Sequence, residues 1–298
     1  MTHVATFVSD PARPILNDEM LHHAARCLPA ARPPQWLDHG VAADIAFTPS
    51  PADDDRAIDM ALRESLAGLP IDFIVQAAAT RRKKLFVADM DSTMIGQECI
   101  DELADFVGLK THVAAITERA MLGEIAFEPA LRERVALLRG LNIDVITQVI
   151  GERITPTPGA RTLVQTMRAH GAFTAIVSGG FTLFAQEIAA MIGFDAYRGN
   201  NLVIENGKLT GHVSEPILGR SAKLESLEFF RKAQGLSPLE TLAVGDGAND
   251  LDMLQQAGLG IAYHAKPAVA AAAHARIDHA DLTALLYAQG YRREEFRQ

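Results

Sequence analysis

Two aspartates one residue apart, Asp89 and Asp91, follow the apolar run Leu85-Phe86-Val87-Ala88. The run has the length and character of a buried central strand, so the aspartates are predicted at its carboxyl end, where open α/β sheets bind ligands. Close carboxylates repel one another unless a cation or a shared proton intervenes. Hard cations such as Mg²⁺ prefer oxygen ligands, and an aspartate can also act as a nucleophile. Taken alone, the pair fits a solvated acidic turn better.

Three further segments follow in chain order and favour a ligand site. They are Ala175-Ile176-Val177 leading into Ser178-Gly179-Gly180, Lys223 in a helical stretch, and Leu242-Ala243-Val244 leading into Gly245-Asp246-Gly247-Ala248-Asn249-Asp250. A hydroxyl and backbone N–H groups at a helix start can bind an anion, and glycines permit close backbone approach. Asn249 and Asp250 could also serve simply as helix caps.

In this order the four segments resemble the haloacid dehalogenase superfamily, and most closely its phosphoserine phosphatase branch, over roughly the last three quarters of the chain. The resemblance implies hydrolysis of O-phosphoserine to serine and inorganic phosphate through an aspartyl-phosphate. It implies that Asp89 is the nucleophile, and that Asp91 protonates the leaving oxygen and later activates water. It further implies Mg²⁺ bound by Asp89, Asp246 and the Asp91 backbone carbonyl, with Asp250 ordering metal-bound water.

The same resemblance implies a set of substrate contacts. On the phosphate side these are Ser178, Gly179, Lys223 and Asn249. On the amino-acid side, Glu98 would receive the ammonium and Arg134 would bind the carboxylate by a bidentate contact. Apolar cover would come from Met121 and Phe127. Without the resemblance, these side chains would be interpreted as ordinary surface charges or core residues.

The region after Thr93 changes to helical periodicity, with apolar residues three and four positions apart. The predicted helices are Cys99–Phe106, Thr111–Met121, Phe127–Arg139 and Ile143–Gly151. They form an insertion of about residues 97–154 in an α/β chain, and we expect a cap that can exclude water during chemistry.

After the insertion, strands and helices alternate again. The predicted units are a strand at Phe173–Val177, a helix at Phe181–Met191, a hairpin around Glu205-Asn206-Gly207, a helix at Ser221–Ala233, strands at Thr241–Val244 and Leu259–Ala262, and helices at Asp250–Ala257 and Ala268–Ala275. The fold class is therefore α/β, a Rossmann-like doubly wound parallel sheet with a helical cap insertion.

Residues 1–80 are predicted to form a small α+β domain before the phosphatase core of residues 81–298. The elements expected are His3–Ser9, Gly40–Phe47 and Ile71–Gln76 as strands, with Asn17–Cys27 and Asp53–Leu66 as helices. This pattern resembles ferredoxin-like, ACT-like regulatory domains, although a packing or dimerisation role fits it equally well. Every candidate site residue lies after Lys84, so we expect this domain to be dispensable for chemistry.

The basic run Arg81-Arg82-Lys83-Lys84 joins the two parts, and we interpret it as a solvated linker rather than a nucleic-acid site. A net charge of −9 over 298 residues also argues against nucleic acid as a partner. No apolar run is long enough to span a membrane, and the first ten residues lack a secretory pattern. With Cys27 and Cys99 as free thiols, a cytoplasmic location is expected.

Two other functions stay open at this point. The first keeps the chemistry but changes the substrate or acceptor, for example phosphothreonine, phosphohomoserine or another alcohol. The second is a non-catalytic sensor of phosphorylated amino acids, which the presence of both Asp89 and Asp91 disfavours. The expected partner is a small phosphorylated amino acid, and the chain could assemble as a homodimer.

Overall fold

The structure, a computed structural model, describes residues 1–50 and 55–298. Its strands are β1 (His3–Ser9), β2 (Gln35–Asp38), β3 (Ala42–Phe47), β4 (Ile71–Ala77), β5 (Leu85–Ala88), β6 (Phe173–Phe181), β7 (Ala196–Asn200), β8 (Leu202–Glu205), β9 (Lys208–Val213), β10 (Thr241–Gly245), β11 (Leu259–Tyr263) and β12 (Ala275–Ile277). Its α-helices are α1 (Asp18–Ala25), α2 (Asp55–Ser65), α3 (Cys99–Asp105), α4 (Lys110–Met121), α5 (Phe127–Ala136), α6 (Asp144–Glu152), α7 (Ala160–Ala169), α8 (Thr182–Ile192), α9 (Arg220–Ala233), α10 (Leu251–Gln256), α11 (Pro267–Ala272) and α12 (Ala284–Ala288). Within the described ranges, every helix is too short or too polar to cross a bilayer.

The first four strands form an antiparallel sheet in the order β2-β3-β1-β4. The chain runs β-α-β-β-α-β through this unit, which is the ferredoxin-like connection. The predicted α+β class is confirmed, but the three-strand pattern is wrong because it omits β2. That strand has four residues and follows Pro33-Pro34, a sequence typical of a loop, and only its pairing with β3 makes it a strand.

The two helices of this unit lie against one face of its sheet. The side chain of Asn17 accepts a hydrogen bond from the Met20 backbone N–H, so Asn17 is the N-cap of α1. The predicted start of the second helix at Asp53 lies outside the described residues.

The second sheet is parallel, with the strand order β12-β11-β10-β5-β6-β7. Strand β5 lies inside it, paired with β10 on one side and β6 on the other. Alternate residues of β5 enter two different apolar clusters, Phe86 on one face and Val87 on the other, and all four residues are fully buried. Burial on both faces explains the continuous apolar run, and the predicted doubly wound fold is confirmed.

Two predicted element boundaries, one of a strand in this sheet and one of a helix next to it, are wrong. Strand β6 continues through the Ser-Gly-Gly segment to Phe181, so Ser178 and Gly179 lie in its irregular last part rather than after it. The predicted helix over Ala268–Ala275 ends at Ala272, because Ala275 pairs with Ile261 of the neighbouring strand. Alanine favours a helix locally, and the sheet edge overrides that preference here.

The helical insertion is confirmed as α3 to α6, and a β-hairpin supports it. The hairpin turn has Asn206 and Gly207 at positive φ, 50° and 73°, as its sequence predicts. Its strand β9 exchanges backbone hydrogen bonds with the loop after α5, from Gly140 N to Leu209 O (2.8 Å) and from Leu209 N to Leu141 O (2.9 Å). The predicted helix Phe127–Arg139 ends earlier, at Ala136, and the loop that follows it makes these hydrogen bonds with the hairpin.

The contacts of the basic run at 81–84 show that its interpretation as a solvated linker is wrong. Arg81 pairs with Asp44 of the first sheet at 2.7 Å and also donates to the backbone carbonyl of Tyr287 in α12. Lys83 is only 4% exposed; its Nζ donates to a backbone carbonyl, and burial lowers the pKa of this group to about 8. The guanidinium of Arg82 lies 3.5 Å from the ring centre of Tyr291. Arg81 therefore links the first sheet to α12, and Lys83 is buried within the core rather than solvated in a linker.

Asp72 on β4 joins the first sheet to the segment after β12 by several hydrogen bonds. Its carboxylate, 4% exposed, accepts hydrogen bonds from the backbone N–H groups of Asp278, His279 and Ala280, at 2.8 to 3.0 Å. Val8 and Ile74 of the first sheet also belong to the main apolar cluster of the second. The division into residues 1–80 and 81–298 stays a prediction.

We expect Asp72→Ala to lower the free energy of unfolding by about 2–3 kcal/mol, because three backbone N–H groups would lose the acceptor they share. Urea titration measures this change. Asp59→Ala is the matched control: Asp59 lies on α2 in an exposed pair with Arg63 and should cost less than about 1 kcal/mol. Equal effects of the two variants would contradict a role for Asp72 in joining the sheets.

Candidate active site

The candidate site lies at the carboxyl ends of three adjacent strands, β10, β5 and β6. Asp246 follows β10, Asp89 follows β5, and Ser178 lies near the end of β6. Parallel strands bring their carboxyl ends to one edge of the sheet, so residues far apart in sequence converge here. The convergence expected from the four segments is therefore present.

Asp89 is held by two donors. The Met90 backbone N–H donates to its Oδ1 at 2.7 Å, and the ammonium group of Lys223 lies 2.6 Å from its Oδ2. Lys223 is fully buried and also contacts Oδ1 of Asp250 at 2.7 Å. Although burial alone would lower the pKa of Lys223, the carboxylates of Asp250 and Asp89 raise it above its ordinary value. The lysine is therefore a permanent cation between two carboxylates.

Asp246 completes a cluster of buried carboxylates. Oxygen atoms of Asp89, Asp246 and Asp250 lie within 4.8 Å of one another. Burial and the charge of Asp89 raise the pKa of Asp246 well above its ordinary value and that of Asp250 to about 7. The Thr93 hydroxyl donates to Oδ1 of Asp246 at 2.8 Å, but no ion pair among the described residues includes Asp246. A hard cation fits this set of oxygen donors and would supply the missing positive charge.

Asp91 faces the pocket above this cluster. Its Oδ1 accepts the Cys99 backbone N–H at 3.0 Å, which holds the carboxyl group at the start of α3. Burial raises the pKa of Asp91 to about 6, although the hydrogen bond from Cys99 acts to lower it. A carboxyl group with this pKa can give and take a proton near neutral pH.

The cap contributes an acidic and a basic side chain, Glu98 and Arg134, to the walls of the same pocket. Glu98, the residue before α3, accepts a hydrogen bond from the Ser92 hydroxyl at 2.6 Å. Enclosure by protein, together with the charges of Asp91 and Asp246, raises the pKa of Glu98 well above its ordinary value. Arg134 on α5 is 5% exposed. An incoming ammonium group would therefore be favourable beside Glu98, and a carboxylate beside Arg134.

One pocket brings nearly all the predicted residues together. Its walls are formed by Asp89, Asp91, Glu98, Ile100, Thr117, Ala120, Met121, Phe127, Leu131, Arg134, Ser178, Gly179, Gly180, Phe181, Asp246, Gly247 and Asn249. Lys223 and Asp250 are not among them, because both lie fully buried behind Asp89. Lys223 was expected to contact phosphate, but in this structure its ammonium group contacts the Asp89 carboxylate.

Two glycines are required by close contacts in this site. A Cβ atom on Gly245 would lie 2.3 Å from Cγ of Asp250, so any side chain there would displace that carboxylate. A Cβ atom on Gly179 would lie 2.7 Å from the Phe127 ring, which the cap lays over the strand end. The glycines of both motifs therefore make room for the Asp250 carboxylate and the Phe127 ring.

The comparisons with known proteins agree with this geometry. The model of the haloacid dehalogenase-like hydrolase family matches residues 86–255, more than half of the chain. The chain belongs to the haloacid dehalogenase-like hydrolases. The predicted superfamily is therefore confirmed, and the match extends from β5 to α10.

Similar haloacid dehalogenase-like proteins include phosphoserine phosphatases. A protein of that name from Streptomyces coelicolor is 44% identical over 237 residues, 79% of this chain and 58% of its own length. A solved structure titled as a phospho-aspartyl intermediate analogue of phosphoserine phosphatase is 42% identical, with a TM-score of 0.66 over 69% of this chain and 98% of its own. A family hydrolase from Salmonella enterica serovar Typhi is 28% identical, with a TM-score of 0.83 over 96% of this chain and 98% of its own.

Sequence reasoning did not assign several residues of this haloacid dehalogenase-like site. Thr93 holds Asp246 and Ser92 holds Glu98, and the only signal for either was a pair of hydroxyl residues directly after the aspartates. Asn200 donates to the Gly179 carbonyl at 2.8 Å and fixes the strand end. Thr117 lies in mid-helix on the cap, where no motif distinguishes it.

We expect Lys223→Met to lower the free energy of unfolding by about 3–5 kcal/mol in metal-free buffer, because it leaves buried carboxylates without their cation. Urea titration is the measurement. Lys232→Met, on the same helix with 71% of the side chain exposed, is the control and should change little. Unchanged stability of Lys223→Met would mean that the carboxylates are neutralised by protons instead.

Proposed function

We propose that the chain is a Mg²⁺-dependent phosphoserine phosphatase that releases serine and inorganic phosphate. The observation that carries the proposal is one pocket in which the paired aspartates face both Glu98 and Arg134. A phosphorylated amino acid presents a phosphate, an ammonium and a carboxylate, and the pocket offers a complementary group for each. The phosphoserine phosphatases among its relatives support the same substrate.

In the proposed reaction, a carboxylate oxygen of Asp89 attacks phosphorus while the bond from phosphorus to the serine oxygen breaks. Asp91, protonated through its raised pKa, gives its proton to the departing serine oxygen. Asp91 then accepts a proton from the water that attacks the aspartyl-phosphate. That step frees phosphate and restores the Asp89 carboxylate, so protons and bonds balance over the cycle.

The positions of the other groups support this cycle. The hydrogen bond from Met90 N and the contact with Lys223 fix the orientation of the Asp89 carboxylate. Ser178, Gly179 and Asn249 line the pocket and would contact the phosphate, while Met121 and Phe127, also in its walls, would exclude water. Asp89, Asp246 and the backbone carbonyl of Asp91 would hold Mg²⁺, and Asp250 would order metal-bound water. When bound, Mg²⁺ would neutralise charge on the phosphoryl oxygens.

Phosphate release from a panel of esters tests the function directly: phosphoserine, phosphothreonine and an aryl phosphate. We expect phosphoserine to have the highest kcat/KM, and Asp89→Asn to lose turnover of every ester while keeping the fold. Acid quenching with labelled phosphoserine should trap protein-bound phosphate in the wild type only. Near wild-type turnover by Asp89→Asn would contradict the assigned nucleophile, and a preference for phosphothreonine would change the substrate.

Removal of divalent metal should abolish activity, and added Mg²⁺ should restore it, since three buried carboxylates beside a phosphate dianion need a cation. We expect Asp246→Asn to raise the Mg²⁺ concentration for half-maximal activity at least tenfold, by loss of a charged ligand. Asp252→Asn is the control, because Asp252 pairs with Arg220 at the surface. Full activity after exhaustive chelation would contradict the mechanism.

Arg134→Ala should lower kcat/KM for phosphoserine about a hundredfold more than for an aryl phosphate, which has no carboxylate for the guanidinium to bind. The measurement is the ratio of the two kcat/KM values in each protein. Arg132→Ala, an exposed arginine on the same helix, should leave the ratio unchanged. An unchanged ratio in Arg134→Ala would mean that this residue does not recognise the amino acid.

A further inference from the structure

Three cap helices are connected by a chain of hydrogen bonds that ends at the pocket. Nη1 of Arg134 on α5 donates to the hydroxyl of Thr117 on α4, at 2.9 Å. That hydroxyl donates to Oδ1 of Asp101 on α3, at 2.8 Å. Thr117 is 4% exposed and Arg134 5%, so the link between them is shielded from water.

The hydroxyl of Thr117 has one proton to donate and two acceptors within reach. The Val113 carbonyl lies at 3.1 Å, one helical turn back, and the Asp101 carboxylate is nearer and charged. With its proton toward Asp101, the oxygen presents its lone pairs to Arg134. The Thr117 hydroxyl thus bridges the Asp101 carboxylate and the Arg134 guanidinium, which form no direct ion pair.

The orientation of the Arg134 guanidinium follows from these contacts. Its Nε donates to the Ala130 carbonyl at 3.1 Å and its Nη1 to Thr117, which fixes the plane of the group. Among the described residues, Arg134 forms no ion pair, and its Nη2 has no hydrogen-bond partner there. One edge of the guanidinium is therefore anchored and another remains free toward the pocket that Arg134 lines.

We infer that Thr117 and Asp101 are positioning residues that select phosphate esters carrying a carboxylate, by fixing the free edge of Arg134. This inference rests on the proposed function, because it concerns how the same pocket recognises its substrate. A guanidinium with several rotatable bonds would otherwise lose conformational freedom on binding. Anchoring it beforehand makes a bidentate contact with a carboxylate more favourable.

The link to α3 adds a second consequence. Glu98 is the N-cap residue of α3 and Asp101 lies in its first turn, so one short helix holds the acid for the ammonium and the anchor for the arginine. The distance between the two recognition groups is thereby set within the cap. A ligand that has only one of the two charged groups cannot use this fixed spacing.

The test compares Thr117→Val, which removes the hydroxyl at nearly constant volume, with Thr117→Ser, which keeps it. The substrates are phosphoserine and phosphoethanolamine, which has the phosphate and the ammonium but no carboxylate. For Thr117→Val we expect kcat/KM for phosphoserine to fall about tenfold, mainly through KM, with phosphoethanolamine nearly unchanged. Thr117→Ser should restore the wild-type ratio, and Asp101→Asn should shift it in the same direction as Thr117→Val.

Two controls separate positioning from a structural effect. Thr111→Val alters an exposed threonine of the same helix and should change neither substrate. In an Arg134→Ala background, Thr117→Val should have no further effect on the ratio, because the group it positions is absent. Thermal unfolding of each variant shows whether the fold is retained.

The outcomes distinguish this inference from the proposed function. Equal losses for both substrates in Thr117→Val, or an unchanged ratio in both Thr117→Val and Asp101→Asn, would overturn the inference while phosphoserine hydrolysis by the wild type stands. A wild-type protein that does not hydrolyse phosphoserine, or does not prefer it to phosphoethanolamine, would overturn both. A tenfold change of the ratio that Thr117→Ser reverses would support the inference.

Discussion

Three carboxylates, those of Asp89, Asp246 and Asp250, lie within 4.8 Å of one another at the buried end of a parallel sheet. Like charges at this distance and depth repel strongly, so the arrangement depends on positive charge. Lys223, fully buried, contacts two of the three. Among the residues that the structure describes, the Asp246 carboxylate accepts from the Thr93 hydroxyl and has no cationic partner, and this difference explains why the cluster suits a cation.

The rest of the core can be understood as the support for that cluster. Strand β5 is buried on both faces, which fixes the position of Asp89, and the glycine before Asp246 leaves room for Asp250. The hydrogen bonds of Met90 and Thr93 then set the orientation of two of the carboxylates. Small changes in any of these neighbours would move charged oxygens that have little space to relax.

The cap and the first sheet are attached to this core in different ways. The cap reaches the pocket through Phe127 over Gly179, and the hairpin supports it from the core by backbone hydrogen bonds. None of the described residues of the first sheet lines the pocket, but Arg81 and Asp72 join this sheet to the core through partly or fully buried polar contacts. A sheet that lies outside the pocket can therefore still affect the stability of the core.

Local patterns in the sequence were sufficient for much of this structure. An apolar run ending in Asp89 and Asp91 predicts a buried strand and a site at its end, and helical periodicity predicts the cap within a few residues. The signature segments also predict the residues that line the pocket, since their chemistry is tied to a short stretch of chain. In each case a few neighbouring residues decide the outcome.

Other features depend on contacts that no local pattern reports. Strand β2 exists because β3 pairs with it, Arg81 is partly buried in an ion pair with Asp44 of the first sheet, and Lys83 is buried within the core. Thr117 is an ordinary helix residue in sequence, and only the packing of α3, α4 and α5 places it between Asp101 and Arg134. The sequence alone determined which chemistry the chain can perform, because that depends on residue types at strand ends. The tertiary structure decided which side chains support that chemistry, because pairing and burial depend on residues distant in the chain.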